Sequence, residues 1–294
     1  MSIGAKNRKP SFTQHAFDPD ALEGAGKLVL RDLCAGIFLC EGDSGAAMDR
    51  IFDRHPDGTF DMIFADPPYF LSNGGSTCKN GRRAKVDKGA WDESRGAEAN
   101  HEFNREWLRR CQRALKPDGT IWVSGTQHVI YSVGFAMQQL GFKLLNTITW
   151  EKPNPPPNLS CRYFTHSTET ILWAAKSERS KHTFNYPAMR EANGGRQMKS
   201  VWRIKVPARA EKTHGRHPTQ KPLELIERCL LASTNPGDLV LDPFLGSGTT
   251  GVAAARHGRR FVGVEMNAAY VETARKRVMD ELGKTHFRFS KPKP

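Results

Sequence analysis

Hydrophobic positions follow two alternating patterns along most of this 294-residue chain. Short continuous apolar runs predict buried strands, whereas apolar residues that recur every three or four positions predict amphipathic helices. The predicted strands are 36–40, 61–64, 121–123, 144–150, 168–175, 239–241 and 261–264. The predicted helices are 45–53, 98–116, 129–140, 223–233, 248–257 and 271–282.

This alternation predicts an α/β fold with a mostly parallel, seven-stranded sheet and helices on both faces. No helical pattern separates 144–150 from 168–175, so these two strands are expected to give the sheet an antiparallel strand near one edge. Residues 1–30 and 286–294 lack the pattern and are predicted to be a loose N-terminal arm and a C-terminal tail. One domain, 31–285, is expected between them.

Two polar stretches interrupt the pattern, and the first is 70–95. A loop of this length is either solvated and disordered or functional. As a functional element, this basic and glycine-containing loop is expected to be mobile and to close on a phosphate backbone. Its candidate DNA-binding residues are Lys79, Arg82, Arg83, Lys85 and Lys88.

The second stretch, about 152–216, is predicted to be a small insertion. It begins with the proline-rich run 152–158, and its part 176–216 carries eleven Lys and Arg against three Glu. A solvated insertion and a nucleic-acid-binding surface both fit. The second is favoured because the whole chain has 44 Lys and Arg against 31 Asp and Glu, a net charge of +13. The candidate DNA-binding residues here are Arg190, Arg196, Lys199 and Arg203.

Composition excludes several classes of protein. The six cysteines include no Cys-x-x-Cys pair, which argues against a disulfide framework and a zinc knuckle, and no metal is expected. No apolar run approaches the roughly 18 residues that a membrane span needs. Residues 1–14 are polar and basic, unlike a secretory signal. The sequence therefore predicts a cytoplasmic protein without a membrane partner.

The tetrapeptide Asp66-Pro67-Pro68-Tyr69 directly follows a predicted strand. Both prolines restrict the backbone and neither has an N–H, so Asp66 and the neighbouring carbonyls form a stiff cluster of acceptors. One interpretation is an ordinary turn after a strand. The other is a site for a substrate amino group, with Tyr69 as a flat aromatic face beside it.

A glycine-rich loop forms the second candidate site. Gly246, Gly248 and Gly251 fit the pattern G-x-G-x-x-G between a strand and a helix, and Glu265 ends the following strand. This context favours a nucleotide-type ligand, because glycines admit a ligand to the backbone, the helix N-terminus attracts an anion, and a carboxylate binds ribose hydroxyls. Both NAD and S-adenosylmethionine fit the pattern.

Three features favour S-adenosylmethionine over NAD. Thr249 and Thr250 start the helix, where hydroxyls and N–H groups suit a small carboxylate. Lys221 is a cation that can pair with the same carboxylate, and Phe244 can cover an adenine or a ribose. Asp43, after the first strand, is either the N-cap of a helix or a carboxylate that binds the ligand.

These motifs together resemble those of bacterial or phage DNA amino-methyltransferases. The three segments are 66–69, His-Pro-Thr-Gln-Lys-Pro at 217–222, and Asp-Pro-Phe-Leu-Gly-Ser-Gly-Thr-Thr-Gly at 242–251. The catalytic motif precedes the cofactor motif, as in the circularly permuted β group, which includes HinfI-like, DpnA-like and cell-cycle-regulated adenine methyltransferases. The resemblance covers about residues 36–282 and implies a Rossmann-like, S-adenosylmethionine-dependent methyltransferase fold.

The resemblance also implies roles for individual residues. The implied catalytic residues are Asp66, Pro67, Pro68 and Tyr69. The implied cofactor-binding residues are Asp43, His217, Thr219, Lys221, Phe244, Gly246, Ser247, Gly248, Thr249, Glu265 and Asn267. Asp43 is thereby favoured as a ligand to the cofactor adenine, rather than as a cap alone.

The implied reaction is site-specific transfer of a methyl group from S-adenosylmethionine to the N6 amino group of a flipped-out adenine in DNA. An aspartate at position 66 favours adenine by resemblance, and cytosine N4 is the nearest alternative. An NAD-dependent oxidoreductase with the same glycine loop is a more distant one. A homodimer and a companion restriction endonuclease are also compatible with the resemblance.

Overall fold

The computed structural model describes residues 17–72, 76–79, 82–85, 92–215 and 217–289, with side chains for all of these except 76–79, 82–85 and 285–289. The strands are β1 (Gly26–Asp32), β2 (Ile37–Gly42), β3 (Phe60–Ala65), β4 (Ser76–Lys79), β5 (Arg82–Lys85), β6 (Leu115–Gly125), β7 (Lys143–Glu151), β8 (Thr168–Ala175), β9 (Val201–Arg203), β10 (Leu239–Asp242) and β11 (Arg260–Glu265). The helices are α1 (Ser44–Arg54), α2 (Ala97–Ala114), α3 (Ile130–Gln139), α4 (Tyr186–Ala192), α5 (Leu223–Ser233), α6 (Thr249–Arg256) and α7 (Ala268–Phe289), with short 3-10 helices at Pro19–Leu22 and Arg209–Glu211.

The main sheet has the strand order β1-β2-β11-β10-β3-β6-β8-β7-β9. Strands β2, β11, β10, β3 and β6 are mutually parallel, and β8 is antiparallel to both β6 and β7. This confirms the predicted mostly parallel α/β sheet with an antiparallel strand near one edge. All seven predicted strands are present.

Two further strands extend the sheet to nine. β1 pairs antiparallel with β2 at one edge, and β9 pairs parallel with β7 at the other. The prediction of a loose arm is therefore wrong for residues 17–30, since Phe17 and Leu22 are also buried in the core. β9 is only three residues long, and its Trp202 is buried against Trp122 of β6. A pattern this short gives no strand signal of its own.

Helices cover both faces of the sheet, as predicted. Successive side chains of a strand point to opposite faces. On β2, Phe38 and Cys40 join the apolar cluster beneath α1, α2 and α3, whereas Ile37 and Leu39 join the cluster beneath α5, α6 and α7. None of the described helices is both long and apolar enough to cross a membrane.

The topology brings the predicted motifs to the side of the sheet where the parallel strands have their C-terminal ends. The parallel strands β2, β3, β10 and β11 all end at this edge, which we call the carboxyl edge. Asp66 follows β3, Asp242 ends β10, Glu265 ends β11, and Asp43 follows β2. Ligands of open α/β sheets bind at such an edge.

The same topology divides the predicted insertion 152–216 into two parts. β8 runs antiparallel, so the β7–β8 loop, residues 152–167, lies at the carboxyl edge, whereas residues after Ala175 begin at the opposite edge. Asn185, just before α4, donates from Nδ2 to the carbonyl of Thr234, which leads into β10 at that opposite edge. The basic segment reaches the carboxyl edge at β9 and stays there beyond it, where the Glu211 carbonyl accepts from the side chain of the cavity-lining Gln220.

Two helical glycines differ in the space around them, and this difference predicts opposite effects on stability when each is changed to alanine. A Cβ on Gly251 would come within 2.9 Å of Phe261 and Val278, so Gly251→Ala should destabilise the fold by about 1–3 kcal/mol. Gly283 lies in α7 with nothing within 4 Å, so Gly283→Ala should stabilise it by up to about 1 kcal/mol. Urea denaturation of the wild type and both variants measures the two signs, and equal signs would contradict this packing.

Candidate active site

A cavity of about 800 Å³ opens at the carboxyl edge between the two candidate sites. The predicted catalytic residues Asp66, Pro67, Pro68 and Tyr69 all line it. The predicted cofactor-binding residues that line it are Asp43, His217, Thr219, Lys221, Phe244, Gly246, Ser247, Thr249, Glu265 and Asn267. Residues from distant parts of the chain therefore face one space, which is roughly the size of a small-molecule ligand site.

Gly248 is the one predicted cofactor residue that does not line the cavity. It has a left-handed backbone conformation, with φ of 78°, and a Cβ on it would lie 2.7 Å from that of Ala274. Gly248 therefore allows α6 to start close against α7, which is a packing role. Gly246, with φ of 51°, does line the cavity, and a Cβ there would lie 3.2 Å from the ring of His217.

The carboxylate of Asp66 is held from two sides. The Tyr69 hydroxyl donates to its Oδ1 at 2.6 Å, and the Lys221 ammonium donates to its Oδ2 at 2.5 Å. Burial raises the pKa of Asp66, and Lys221 and Tyr69 oppose that rise. Burial lowers the pKa of Lys221, but the carboxylates of Asp66 and Glu169 outweigh it, so that the net shift is upward and the ammonium stays charged.

The side chain of Tyr69 is largely enclosed, although the residue lines the cavity. Its side chain belongs to the apolar cluster beneath α2, and the residue is 4% exposed. The Lys221 Nζ lies 5.3 Å from the centre of its ring, and its hydroxyl also lies 3.1 Å from the Ser124 hydroxyl. Tyr69 therefore positions Asp66 and also lines the cavity, so its stacking role stays a prediction.

Lys221 lines the cavity and pairs with carboxylates of the protein itself, and its predicted contact with a ligand carboxylate stays a prediction. Its ammonium lies against Asp66 and within 3.8 Å of Glu169, because two buried carboxylates require a cation between them. The chain of charges continues to Lys152, whose ammonium lies 2.5 Å from Glu169. Sequence analysis missed Glu169 and Lys152, since neither belongs to a motif and only the sheet topology brings them to Asp66.

Asp92 fixes the backbone after the turn at Asp66. The sequence motifs did not indicate this residue. Its buried carboxylate accepts hydrogen bonds from the backbone N–H groups of Tyr69 and Leu71 and from the Ser72 hydroxyl, at 2.8, 3.1 and 3.1 Å. Since Pro67 and Pro68 have no N–H, that of Tyr69 is the first available donor after Asp66. In the sequence, Asp92 is one acid among many basic residues and carries no distinguishing signal.

A carboxylate and a guanidinium from other elements hold the glycine loop. Glu265 accepts from the backbone N–H groups of Gly246 and Asn267, both at 2.8 Å. Arg277 of α7 donates from one nitrogen to the carbonyl of Ser247 at 2.6 Å and lies within 3.2 Å of the Thr249 hydroxyl. Arg277 is buried, and its only sequence signal is its place on the core-facing side of α7.

Asp43 is an N-cap, and its predicted role as a ligand to the cofactor stays a prediction. Its side chain accepts from the Ala46 N–H at 2.8 Å as the N-cap of α1, and the residue also lines the cavity. A carboxylate has about four acceptor positions, so capping leaves capacity for a ligand.

The predicted DNA-binding residues that the structure describes lie on several different elements. Lys79, Arg82, Arg83 and Lys85 lie in β4 and β5, which pair as an antiparallel hairpin, and Lys88 lies outside the described residues. Arg190 is in α4, whose start lies near the opposite edge, and Arg196 and Lys199 are exposed in the connection to β9. Arg203 ends β9 opposite Glu151 and is the one that the sheet register brings to the carboxyl edge.

Solved structures share this architecture. The crystal structure of an M1.HpyAVI–SAM complex matches with a TM-score of 0.63 and 29% identity, covering 82% of this chain and 98% of that one. The cytosine-N4-specific PvuII DNA methyltransferase matches in fold, with a TM-score of 0.64 and 20% identity over 85% of this chain and 92% of its own. The chain thus has the Rossmann-like fold of the DNA methyltransferases.

Sequence comparison gives the family. Residues 60–276 match the family model described as DNA methylase, which is more than two thirds of the chain. The Type II methyltransferase M2.DpnII of Streptococcus pneumoniae is 58% identical over 224 residues, covering 76% of this chain and 84% of that protein. This chain belongs to the DNA methylase family, which confirms the resemblance drawn from its motifs.

The raised pKa of Asp242 should make the free energy of unfolding depend on pH. It is buried, it accepts hydrogen bonds from the Thr250 hydroxyl and the Phe244 N–H, and burial raises its pKa from 3.8 to about 7. The folded protein then keeps a proton that the unfolded chain loses between these pH values, so this group lowers the free energy of unfolding as the pH rises.

Asp242→Asn should remove this contribution. Between pH 5 and pH 7, the wild type should lose up to about 3 kcal/mol more unfolding free energy than the variant. Chemical denaturation at both pH values measures the difference. Asp53→Asn, which changes an exposed residue of α1, should keep the wild-type slope, and the same slope in Asp242→Asn would contradict the assignment.

Proposed function

We propose that this protein transfers a methyl group from S-adenosylmethionine to the N6 amino group of adenine in DNA. The observation that carries the proposal is the cavity in which the turn at Asp66 faces the glycine loop at 244–249. One wall offers carboxylate and carbonyl acceptors, and the other offers a helix start and glycine backbone. An amine and a nucleotide-type ligand can meet between them.

The residues of the glycine loop fit S-adenosylmethionine. The helix N-terminus at Thr249 suits the methionyl carboxylate, and Glu265 and Asp43 suit the ribose hydroxyls and the adenine amino group. Phe244, packed edge-on against Trp107 at 5.4 Å, supports the nucleoside. When bound, this cofactor supplies an electrophilic methyl group. The similar M1.HpyAVI was crystallised as a complex with SAM, the same molecule.

Asp66 accepts an N–H of the target amine, and the Pro67 carbonyl accepts the other. Tyr69 and Lys221 each occupy one lone pair of Asp66, which leaves acceptor positions free because a carboxylate has about four. These acceptors turn the amine lone pair toward the methyl group and stabilise the positive charge that develops on nitrogen. Removal of one such preorganised group typically costs about 3–4 kcal/mol of transition-state stabilisation.

Proton release completes the reaction. The methylated nitrogen must lose one proton to become neutral. Burial raises the pKa of Asp66, so this carboxylate is well suited to take up that proton and pass it to solvent. Burial and the neighbouring Asp66 raise the pKa of Tyr69, which therefore keeps its hydroxyl proton and remains a donor to Asp66.

Cytosine N4 is the second candidate for the methylated group, because both amines present the same N–H pair to Asp66. The aspartate at 66 favours adenine by resemblance alone. Membership of the DNA methylase family removes the nicotinamide alternative. The homodimer and the companion endonuclease stay predictions.

The proposed reaction can be tested by mass spectrometry of the methylated nucleosides. Unmethylated DNA incubated with the purified protein and isotopically labelled S-adenosylmethionine should yield labelled N6-methyladenine after digestion to nucleosides. Labelled N4-methylcytosine instead would establish the alternative substrate. Absence of label from both nucleosides, across DNA of varied sequence, would contradict the proposed function.

Asp66→Ala should abolish most activity in a protein that is destabilised by loss of the Lys221 partner but still folded. The single-turnover rate of methyl transfer should fall by roughly 10²–10³-fold, as for other preorganised polar groups, while the affinity for S-adenosylmethionine stays within about threefold. Rapid-quench assays and calorimetric titration give the two quantities. Asp53→Ala removes an exposed carboxylate from α1 and should change neither. A rate for Asp66→Ala within a few-fold of wild type would remove this residue from the active site.

A further inference from the structure

The β7–β8 loop, residues 152–167, has no role in the function described so far. It starts at the end of β7 and returns into β8 at the carboxyl edge, and its base is closed by a hydrogen bond from the Lys152 N–H to the Ser167 carbonyl at 2.8 Å. Residues 176–192 of the basic insertion begin instead at the opposite edge. This loop thus lies at the carboxyl edge, as do β9 and the residues after it, and its base adjoins the turn at Asp66.

A buried chain of charges ties the base of the loop to Asp66. The order is Lys152, Glu169, Lys221 and Asp66, with successive nitrogen–oxygen distances of 2.5, 3.8 and 2.5 Å. The four side chains are between 6% and 18% exposed. A displacement of the loop base would therefore disturb the carboxylate that faces the cavity.

The tip of the loop exposes large apolar side chains. Phe164 is 97% exposed, Tyr163 is 59% exposed and Leu159 is 47% exposed. The tip has a defined turn around Asn158, which donates from Nδ2 to the Tyr163 carbonyl at 2.6 Å and accepts from the Ser160 N–H at 3.0 Å. Exposed apolar side chains that cluster on one loop mark an interaction site.

The charge of the loop selects the kind of partner. Residues 152–167 contain no Asp or Glu, and Arg162 lies next to the two exposed aromatic residues. Aromatic side chains with adjacent cations suit stacked bases that are flanked by phosphates. Proteins that distort DNA insert such apolar side chains between base steps.

We propose that the β7–β8 loop contacts the DNA duplex beside the target base, and that Phe164 enters the stack where that base leaves it. This inference rests on the proposed function, because extraction of a base creates the gap that Phe164 fills. Tyr69 lines the cavity and donates to Asp66, whereas Phe164 is 97% exposed at the loop tip outside it. Phe164 thereby lowers the free energy of the extracted state.

The test compares two DNA duplexes under single-turnover conditions. Both carry a methylation site identified by modification-sensitive sequencing, and in one of them an abasic residue stands opposite the target base. Phe164→Ala should slow methylation of the paired duplex by about tenfold to a hundredfold, the range that loss of one stacked ring gives. The loss on the abasic duplex should be several-fold smaller, because its target base is already partly unstacked.

Two variants control for the fold and for the aromatic ring. Phe164→Tyr keeps the ring and should retain most of the wild-type rate. Leu33→Ala removes a 68% exposed apolar side chain from the turn between β1 and β2, at the opposite edge, and should act like wild type on both duplexes.

The outcomes separate this inference from the proposed function. If the wild type methylates DNA and Phe164→Ala matches it on the paired duplex, the inference is overturned. Equal losses on both duplexes would also overturn it, since they indicate a general loss of structure or affinity. A change of oligomeric state in Phe164→Ala, seen by light scattering with unchanged rates, would assign the tip to protein contacts instead. If the wild type methylates neither duplex, the proposed function itself fails.

Discussion

The ion pair between Asp66 and Lys221 is the constraint on which the site depends. Both side chains are largely buried, at 15% and 6% exposure, and their nitrogen and oxygen lie 2.5 Å apart. Burial of a single charge has a penalty of several kcal/mol, which a close partner offsets. Neither residue can therefore leave the other without a large loss of stability. The pair joins the turn after β3 to the segment before α5, two pieces of chain that are 155 residues apart.

This pairing also sets the shape of the cavity. The Lys221 carbonyl lies 3.3 Å from the Thr249 hydroxyl, so the residue that holds Asp66 also contacts the start of α6, directly after the glycine loop. Glu265 and Arg277 then fix the loop from its other sides. The Asp66 carboxylate and the backbone of the glycine loop are thus held at a set separation by buried polar contacts. A site built in this way is preorganised, which is the property that electrostatic catalysis requires.

Sequence patterns predicted the seven main strands, both helical layers and most of the residues that line the cavity. These predictions succeeded because apolar periodicity reports burial directly and because the two motifs each lie at the end of a parallel strand. Asp92, Glu169, Lys152 and Arg277 were missed because their roles come from contacts between distant segments. The contacts of Tyr69 with Lys221 and Ser124 were missed for the same reason, since local sequence does not reveal which distant side chains will surround a ring.

The same limit applies to the DNA-binding surface. Net charge indicated a polyanionic partner, and the charge count drew attention to 176–216. Charge carries no information about which edge of the sheet a segment occupies. The direction of β8 determines which edge each segment occupies. It brings the proline-rich start of the insertion to the carboxyl edge, although that start has few charged residues.

The most direct measurement of the central claim is a double-mutant cycle on the free energy of unfolding. Asp66→Asn and Lys221→Met each leave one buried charge without its main partner, and each should destabilise the protein by about 3–5 kcal/mol. The double variant should be destabilised by clearly less than the sum of the two. Effects that add to within about 0.5 kcal/mol would show that the two residues act independently, and would contradict the account.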